Sequence, residues 1–197
     1  MFKIKRGVFG VYEWVMFKYI KTSFIAIIIS LVFELIIHQS NREIDFQLSL
    51  ISFVFHSLNL IIAIVLAVNY QNPTISRIDN LKKGILISIV FSLSISFYFY
   101  SYHKWINPEF LENKKQSLIE LSENPETLRQ AKLNINSNPD FYNGKSAQDL
   151  LEMQQENIND ILKPAKVFPI SLFSFLFLGM ISTLIISLLT NLFQKKT

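Results

Sequence analysis

Residues 22–38 read TSFIAIIISLVFELIIH, an apolar stretch in which Glu34 is the only Asp, Glu, Lys or Arg. A helix of about 20 apolar residues is long enough to cross the ~30 Å hydrocarbon core of a bilayer. Three further apolar stretches occupy residues 46–68, 84–102 and 167–193. The sequence therefore predicts an all-α integral membrane protein, a four-helix bundle with four spans.

The composition fits a membrane protein better than a soluble one. The chain has 197 residues, 50% of them hydrophobic and 18 of them Phe, with a mean hydropathy of +0.32. One small soluble domain cannot bury that much apolar surface. The net charge of +4 comes from Lys and Arg beside the apolar stretches. We therefore predict a lipid bilayer, and no nucleic acid, as partner. The absence of Cys excludes disulfides and thiolate metal sites.

Basic residues are distributed unevenly among the segments that flank the spans. They cluster as Lys3, Lys5, Arg6, Lys18 and Lys21 before span one, Arg77, Lys82 and Lys83 between spans two and three, and Lys195 and Lys196 after span four. Cytoplasmic segments carry the excess of Lys and Arg. We therefore expect both termini in the cytoplasm and residues 104–166 outside it. The abundance of Ile, Phe, Asn, Lys and Ser is typical of an AT-rich genome and indicates a low-GC bacterium.

The predicted organisation has four parts: an N-terminal cytoplasmic or interfacial segment, 1–21; spans one to three, 22–103; an extracytoplasmic helical segment, 104–166; and span four with a basic cytoplasmic tail, 167–197. Residues 7–21 mix aromatic and basic positions at helical spacing. They are predicted to form either an interfacial helix or a cytoplasmic extension of span one.

Helix-start signals recur through residues 104–166. Asn-Pro followed by an acidic residue begins at three positions, Asn107, Asn124 and Asn138. Asn is favoured as N-cap, Pro in the first helical position and an acid in the first turn. Ser146 and Asp149 resemble a capping box that opens a helix over 147–163. We predict two or three short amphipathic helices and then a longer one. Their apolar faces pack on each other or on the membrane, or form a groove for a partner.

An aromatic run marks the predicted exit of span three from the membrane. Tyr98, Tyr100, Tyr102 and Trp105 are expected at the outer interface, where amphipathic rings are favoured. Lys104 can extend its ammonium toward the lipid headgroups.

Each span has one face of small or polar residues at spacings of three, four or seven. These faces comprise Ser23, Ser30 and Glu34 in span one; Ser49, Ser52, His56, Asn59 and Ala63 in span two; Gly84, Ser88, Ser92 and Ser96 in span three; and Gly179, Thr183, Ser187 and Asn191 in span four. Such residues let membrane helices approach closely and hydrogen-bond to one another. The pattern predicts a compact bundle with Ile, Leu and Phe facing lipid.

Glu34 and His56 are the ionisable residues deepest in the predicted membrane. A charged side chain near the bilayer centre costs roughly 2.5–3.5 kcal/mol, so it needs a partner or a proton. Glu34 lies about 18 Å from the inner end of span one and His56 about 15 Å from the outer end of span two, at ~1.5 Å per residue. In a core of ~30 Å these depths nearly coincide. We predict that Glu34 faces His56, with Asn59 one turn further along span two.

Three interpretations of this candidate polar site remain open. The pair can be a hydrogen bond that fixes the register of the bundle, or a relay for a proton or an ion. Alternatively, Glu34 reaches water and the pair does not form. His38 and His103 are both expected near the outer interface, where a metal site with His56 or a carboxylate is an alternative, but the three histidines lack short ligand spacing.

Motifs for catalysis or cofactor binding are missing from the sequence, which has no P-loop, no G-x-G-x-x-G, no G-x-S-x-G, no H-E-x-x-H and no Cys pair. We therefore predict no catalytic residues, no metal, no cofactor and no enzymatic activity.

The stretch YFYSYHKWINPEF, residues 98–110, followed by a Glu- and Lys-rich segment and a last span ending in Lys, resembles a known family. Its members are small four-span bacterial membrane proteins, frequent in Bacteroidota, known only as a domain of unknown function. The resemblance implies an inner-membrane location and carries no activity. The function expected is that of a non-enzymatic structural or accessory component of the cell envelope, with a membrane-protein partner or as a homo-oligomer. The alternative is a small transport or proton-coupled protein that uses Glu34 and His56.

Overall fold

A computed structural model describes residues 6–39, 46–68 and 77–194, and every regular element in these ranges is helical. The elements are α1 (Arg6–Gln39), α2 (Phe46–Val68), α3 (Arg77–Ser101), a π-helical turn (Tyr102–Ile106), α4 (Glu109–Ser122), α5 (Pro125–Ser137), α6 (Pro139–Tyr142), α7 (Ala147–Ile161) and α8 (Pro164–Gln194). The chain forms two compact units. The bundle unit holds the chain up to Tyr98 and from Ile170 onward, and the second unit is Phe99–Pro169.

Four helices are long and apolar enough to cross a membrane. The apolar spans within them are Tyr19–Gln39, Ser49–Val68, Ile78–Ile106 and Pro164–Thr190. This confirms the predicted all-α membrane protein with four spans. Helix α1 continues without a break from Arg6 to Gln39, so residues 7–21 extend span one and do not form a separate interfacial helix.

Small and polar side chains of the bundle unit face inward, as predicted. Those with no exposed surface are Ser23, Ser30, His56, Ser88, Ser92, Ser96, Thr183 and Ser187. Large apolar side chains point outward instead, including Phe24, Ile28, Ile36, Leu58, Phe97, Phe173, Phe177 and Ile185. Asn191, the last residue of the predicted face in span four, lies outside the side chains that the structure describes. Lipid is thus the solvent that accommodates the outward apolar surface.

Helices α3 and α8 touch at two glycines. A Cβ on Gly84 would overlap the Thr183 side chain, and a Cβ on Gly179 would overlap Ser88 and lie 3.4 Å from Leu60 Cδ2. The order of these pairs along the two helices makes them antiparallel. Helices α1 and α3 are parallel, since Tyr19 of α1 meets Lys83 of α3, and Glu34, further along α1, acts on Tyr98, further along α3. Close backbone approach at small residues is a usual source of stability for helix pairs in lipid.

The second unit confirms most of the helix starts predicted from the sequence. The Asn124 side chain accepts a hydrogen bond from Glu126 N (3.0 Å). Ser146 and Asp149 form the complete capping box. Hydrogen bonds from the Ser146 backbone and hydroxyl lower the pKa of the Asp149 carboxyl. Asn107 Oδ1 accepts a bond from Phe110 N (3.2 Å), although α4 itself begins at Glu109.

Two features of the second unit differ from expectation. The start at Asn138 gives a single turn, α6, because the chain enters the left-handed region at Asn143 (φ 48°) and Gly144 (φ 75°). The exit of span three contains a π-helical turn that was not predicted. Within this turn Tyr102 is 9% exposed, so it is buried in the second unit and does not belong to the expected interfacial belt.

We expect Gly179→Ala to lower the free energy of unfolding by about 1–3 kcal/mol, because the added methyl group overlaps Ser88. Ser88→Gly in the same chain makes room for that methyl group. The double variant should then be less destabilised than the sum of the two single variants. Thermal unfolding of the detergent-solubilised protein measures all three. Additive effects, or a Gly179→Ala variant as stable as wild type, would show that α3 and α8 do not approach this closely.

Candidate intramembrane polar site

Glu34 of α1 and His56 of α2 form a direct contact inside the bundle unit. Glu34 Oε1 lies 2.6 Å from His56 Nε2, and the Ser52 hydroxyl donates to the same carboxylate oxygen. The His56 side chain is fully buried, whereas that of Glu34 is 14% exposed. The contact predicted from the matched depths of the two residues is therefore confirmed.

Asn59, the third candidate residue, makes a separate link between the same two helices. Its Nδ2 donates to Ala26 O (2.7 Å) and to Ser30 Oγ (2.8 Å). The structure thus places Asn59 one turn along α2, as predicted, but gives it different partners from those of Glu34. Both links satisfy polar groups that lipid could not.

Aromatic rings enclose the imidazole of His56. Phe33, Phe55 and Phe175 present their edges or faces to it at centroid distances of 6.4, 6.1 and 6.2 Å. Phe33 and Phe55 also stack on each other at 3.8 Å. This packing fixes the ring, which has no exposed surface. Electrostatic attraction to Glu34 is stronger in such an environment than in water.

Tyr98 belongs to the surroundings of Glu34, although its place near the end of span three predicts the interfacial belt. It lies on α3 in the bundle unit, close enough for the Glu34 carboxylate to act on it electrostatically. Tyr98 follows Ile95 by three residues and Phe91 by seven, and both of these side chains are fully buried.

The pair can exist in two forms of the same net charge. A proton on His56 gives an ion pair, and a proton on Glu34 gives a neutral acid bonded to a neutral imidazole. Either form avoids an isolated charge at membrane depth. The arrangement is therefore suited to holding a proton between two helices, or to joining those helices in one register.

The described residues contain no group of three or more His, Cys, Asp or Glu arranged to hold a metal. His103 belongs to the second unit, where its ring stacks on Phe110 at 4.9 Å and on Phe99 at 6.5 Å.

A family comparison agrees with the resemblance carried by residues 98–110. The family described as "Protein of unknown function (DUF4199)" matches residues 21–191, and the chain belongs to this family. Neither the curated proteins nor the solved structures gave a match.

We expect Glu34→Ala to lower the free energy of unfolding by about 2–3 kcal/mol, since it removes the acceptor of two hydrogen bonds in the bundle. Glu34→Gln keeps an oxygen at that position and should cost less. Leu35→Ala, at a neighbouring residue that is 55% exposed, is the control and should have a smaller effect. Equal stability of Glu34→Ala and wild type would mean that the contact does not hold α1 and α2 together.

Proposed function

We propose that the chain is a non-enzymatic accessory component of the bacterial cell envelope. The bundle unit anchors it in the inner membrane, and the second unit binds a helix of another membrane protein outside the cytoplasm. The unequal distribution of Lys and Arg supports this orientation, with both termini in the cytoplasm. The observation that carries the proposal is an apolar groove between α4 and α7.

The groove has a volume of about 430 Å³ and takes most of its lining from one face of α7. The lining residues are Leu118, Leu150, Met153, Gln154, Asn157, Ile158, Ile161 and Leu162. Their spacing of three and four along α7 is that of a ridge against which a second helix packs. Met153 and Ile161 are 42% and 51% exposed, so the ridge is available for contact.

The second unit buries little of its own apolar surface. Helices α5 and α6 bury no residue, and α7 buries only Leu151. A helix laid in the groove would cover Met153 and Ile161. The amides of Gln154 and Asn157 could then hydrogen-bond to polar groups of a protein partner. An acyl chain has no such groups.

The position of the groove favours a partner that is itself a membrane protein. Ile161 and Leu162 line the groove, and the apolar span of α8 begins two residues later at Pro164. Because the groove ends two residues before a membrane span, a partner's helix that adjoins one of the partner's own spans could reach it. Amphipathic helices bind such grooves through apolar residues at helical spacing.

Affinity purification from mild detergent tests this proposal. We expect the wild-type chain to retain a stoichiometric membrane-protein partner and Ile161→Asp to reduce that retention more than about tenfold, because the substitution places a charge in the groove. Leu133→Asp is the matched control, since Leu133 is 49% exposed on α5 and does not line the groove. Equal retention by Ile161→Asp and Leu133→Asp would contradict the proposal.

A second candidate function is proton-coupled transport, and one observation favours it. Glu34 is partly exposed while it contacts the fully buried His56. In the described part of the chain, the buried hydroxyls of Ser92, Ser96 and Thr183 also have no hydrogen-bond partner. Hydroxyl groups of this kind could pass a proton, whereas the close contact of α3 and α8 at Gly84 and Gly179 leaves no room for water at those positions. The accessory function is therefore the better supported.

If the second candidate is correct, Glu34→Gln in proteoliposomes should abolish proton flux driven by a pH gradient, because the amide cannot exchange a proton. Ser49→Ala, on the same face of α2, is a control that keeps the Glu34–His56 contact. Flux that is unchanged in Glu34→Gln would eliminate this candidate and leave the pair with its structural role.

A further inference from the structure

A slot bounded by residues of α1 and α2 opens on the lipid-facing surface of the bundle unit, with a volume of about 240 Å³. Its floor is made of small side chains, Ala26, Ala63 and Ala67, each 2–3% exposed. Its walls are larger apolar side chains that are about half exposed: Ile25, Ile29, Ile62 and Leu66. A slot with these walls suits a single narrow, apolar occupant.

The depth of the slot matches one leaflet of a bilayer. It runs along α1 from Tyr19 to Ile29 and along α2 from Ala67 back to Asn59. At ~1.5 Å per residue, about ten residues of helix cover ~15 Å, which is half of the ~30 Å hydrocarbon core. Asn59 lines the deep end, where its amide holds α1 and α2 together. A transmembrane helix from a second copy would have to cross both leaflets, so it fits this slot poorly.

Positive charge lies at the shallow end of the slot. The Lys83 ammonium is 5.3 Å from the centroid of the Tyr19 ring, which lines the slot. Lys83 is only 7% exposed, and its ammonium donates to Asn80 Oδ1 at 3.3 Å. Asp79, one turn earlier, attracts it electrostatically. An ammonium has three donors, and a buried one is stabilised by further anionic acceptors.

Lys21 adds a second cation at the same end. It is exposed and lies one helical turn before Ile25, so the two side chains share a face of α1. Near Tyr19 the described side chains therefore include two ammonium groups, those of Lys21 and Lys83, and one carboxylate, that of Asp79. The apolar slot thus has a positively charged mouth, which is the arrangement that an anionic lipid matches.

We propose that this slot binds one anionic phospholipid from the leaflet on the side of Tyr19. One acyl chain lies over Ala26 and Ala63, and the phosphate is held by Lys21 and Lys83. The proposal is independent of the partner-binding function, because it concerns a different unit and a different ligand.

Native mass spectrometry tests the proposal. The full chain in detergent is first freed of bound lipid and then titrated with phosphatidylglycerol or phosphatidylcholine of the same acyl chains. We expect phosphatidylglycerol to bind more tightly than phosphatidylcholine. Lys21→Gln should weaken phosphatidylglycerol binding about fivefold and phosphatidylcholine binding less, because the choline cation already offsets the charge of its phosphate. Lys82→Gln removes the same charge from an exposed residue that points about 100° away from Lys83 around α3, so it should leave both affinities unchanged.

Ala67→Leu fills the slot and should abolish the preference for phosphatidylglycerol, with folding checked by circular dichroism and size-exclusion chromatography. If this variant does not fold, Lys21→Gln and Lys82→Gln still test the proposal, because Lys21 and Lys82 are exposed. Equal affinity for the two lipids, or equal effects of Lys21→Gln and Lys82→Gln, would overturn the proposal. A dimer that Ala67→Leu dissociates, with phosphatidylglycerol binding unchanged, would also overturn the proposal, because the slot would then hold a second copy of the chain.

Discussion

The structure depends on the inability of lipid to satisfy polar groups. In hydrocarbon every hydrogen-bonding group must find its partner within the protein. The chain meets this constraint at Ser23, Ser30, His56, Asn59 and Ser88, which are buried and hydrogen-bonded, and it turns its large apolar residues outward. In water, exposing the same apolar surface to the solvent would cost a large free energy. The inward polar faces and the outward apolar faces therefore both follow from lipid being the solvent.

Two different kinds of contact join the helices of the bundle unit. Helices α1 and α2 are held by polar links, from Glu34 to His56 and from Asn59 to Ala26 and Ser30. Helices α3 and α8 are held by close approach at two glycines. Polar links specify register because each donor has a particular acceptor, whereas glycine contacts mainly set distance. The polar links are therefore the contacts that fix how α1 and α2 align.

Much of this fold could be predicted because its signals are local or periodic. Four apolar stretches of the right length gave the spans, and spacings of three and four residues gave the inward faces. The contact between Glu34 and His56 followed from depth alone, since a bilayer of fixed thickness aligns residues on neighbouring spans. The role of Tyr98 was missed because a tyrosine near the end of a span is favoured at the interface for reasons unrelated to packing. The π-helical turn and the groove between α4 and α7 depend on contacts between distant residues, which periodicity does not encode.

The proposed function requires the second unit to lie outside the cytoplasm, and this location can be measured directly. The chain contains no Cys, so single cysteines can be introduced without background. Labelling of intact spheroplasts with a membrane-impermeant maleimide is the most direct measurement. Gln130→Cys, at an exposed residue of α5, should be labelled in intact spheroplasts, whereas Thr197→Cys should be labelled only after lysis. Labelling of both positions on the same side of the membrane would contradict a four-span bundle that carries the second unit outside the cytoplasm.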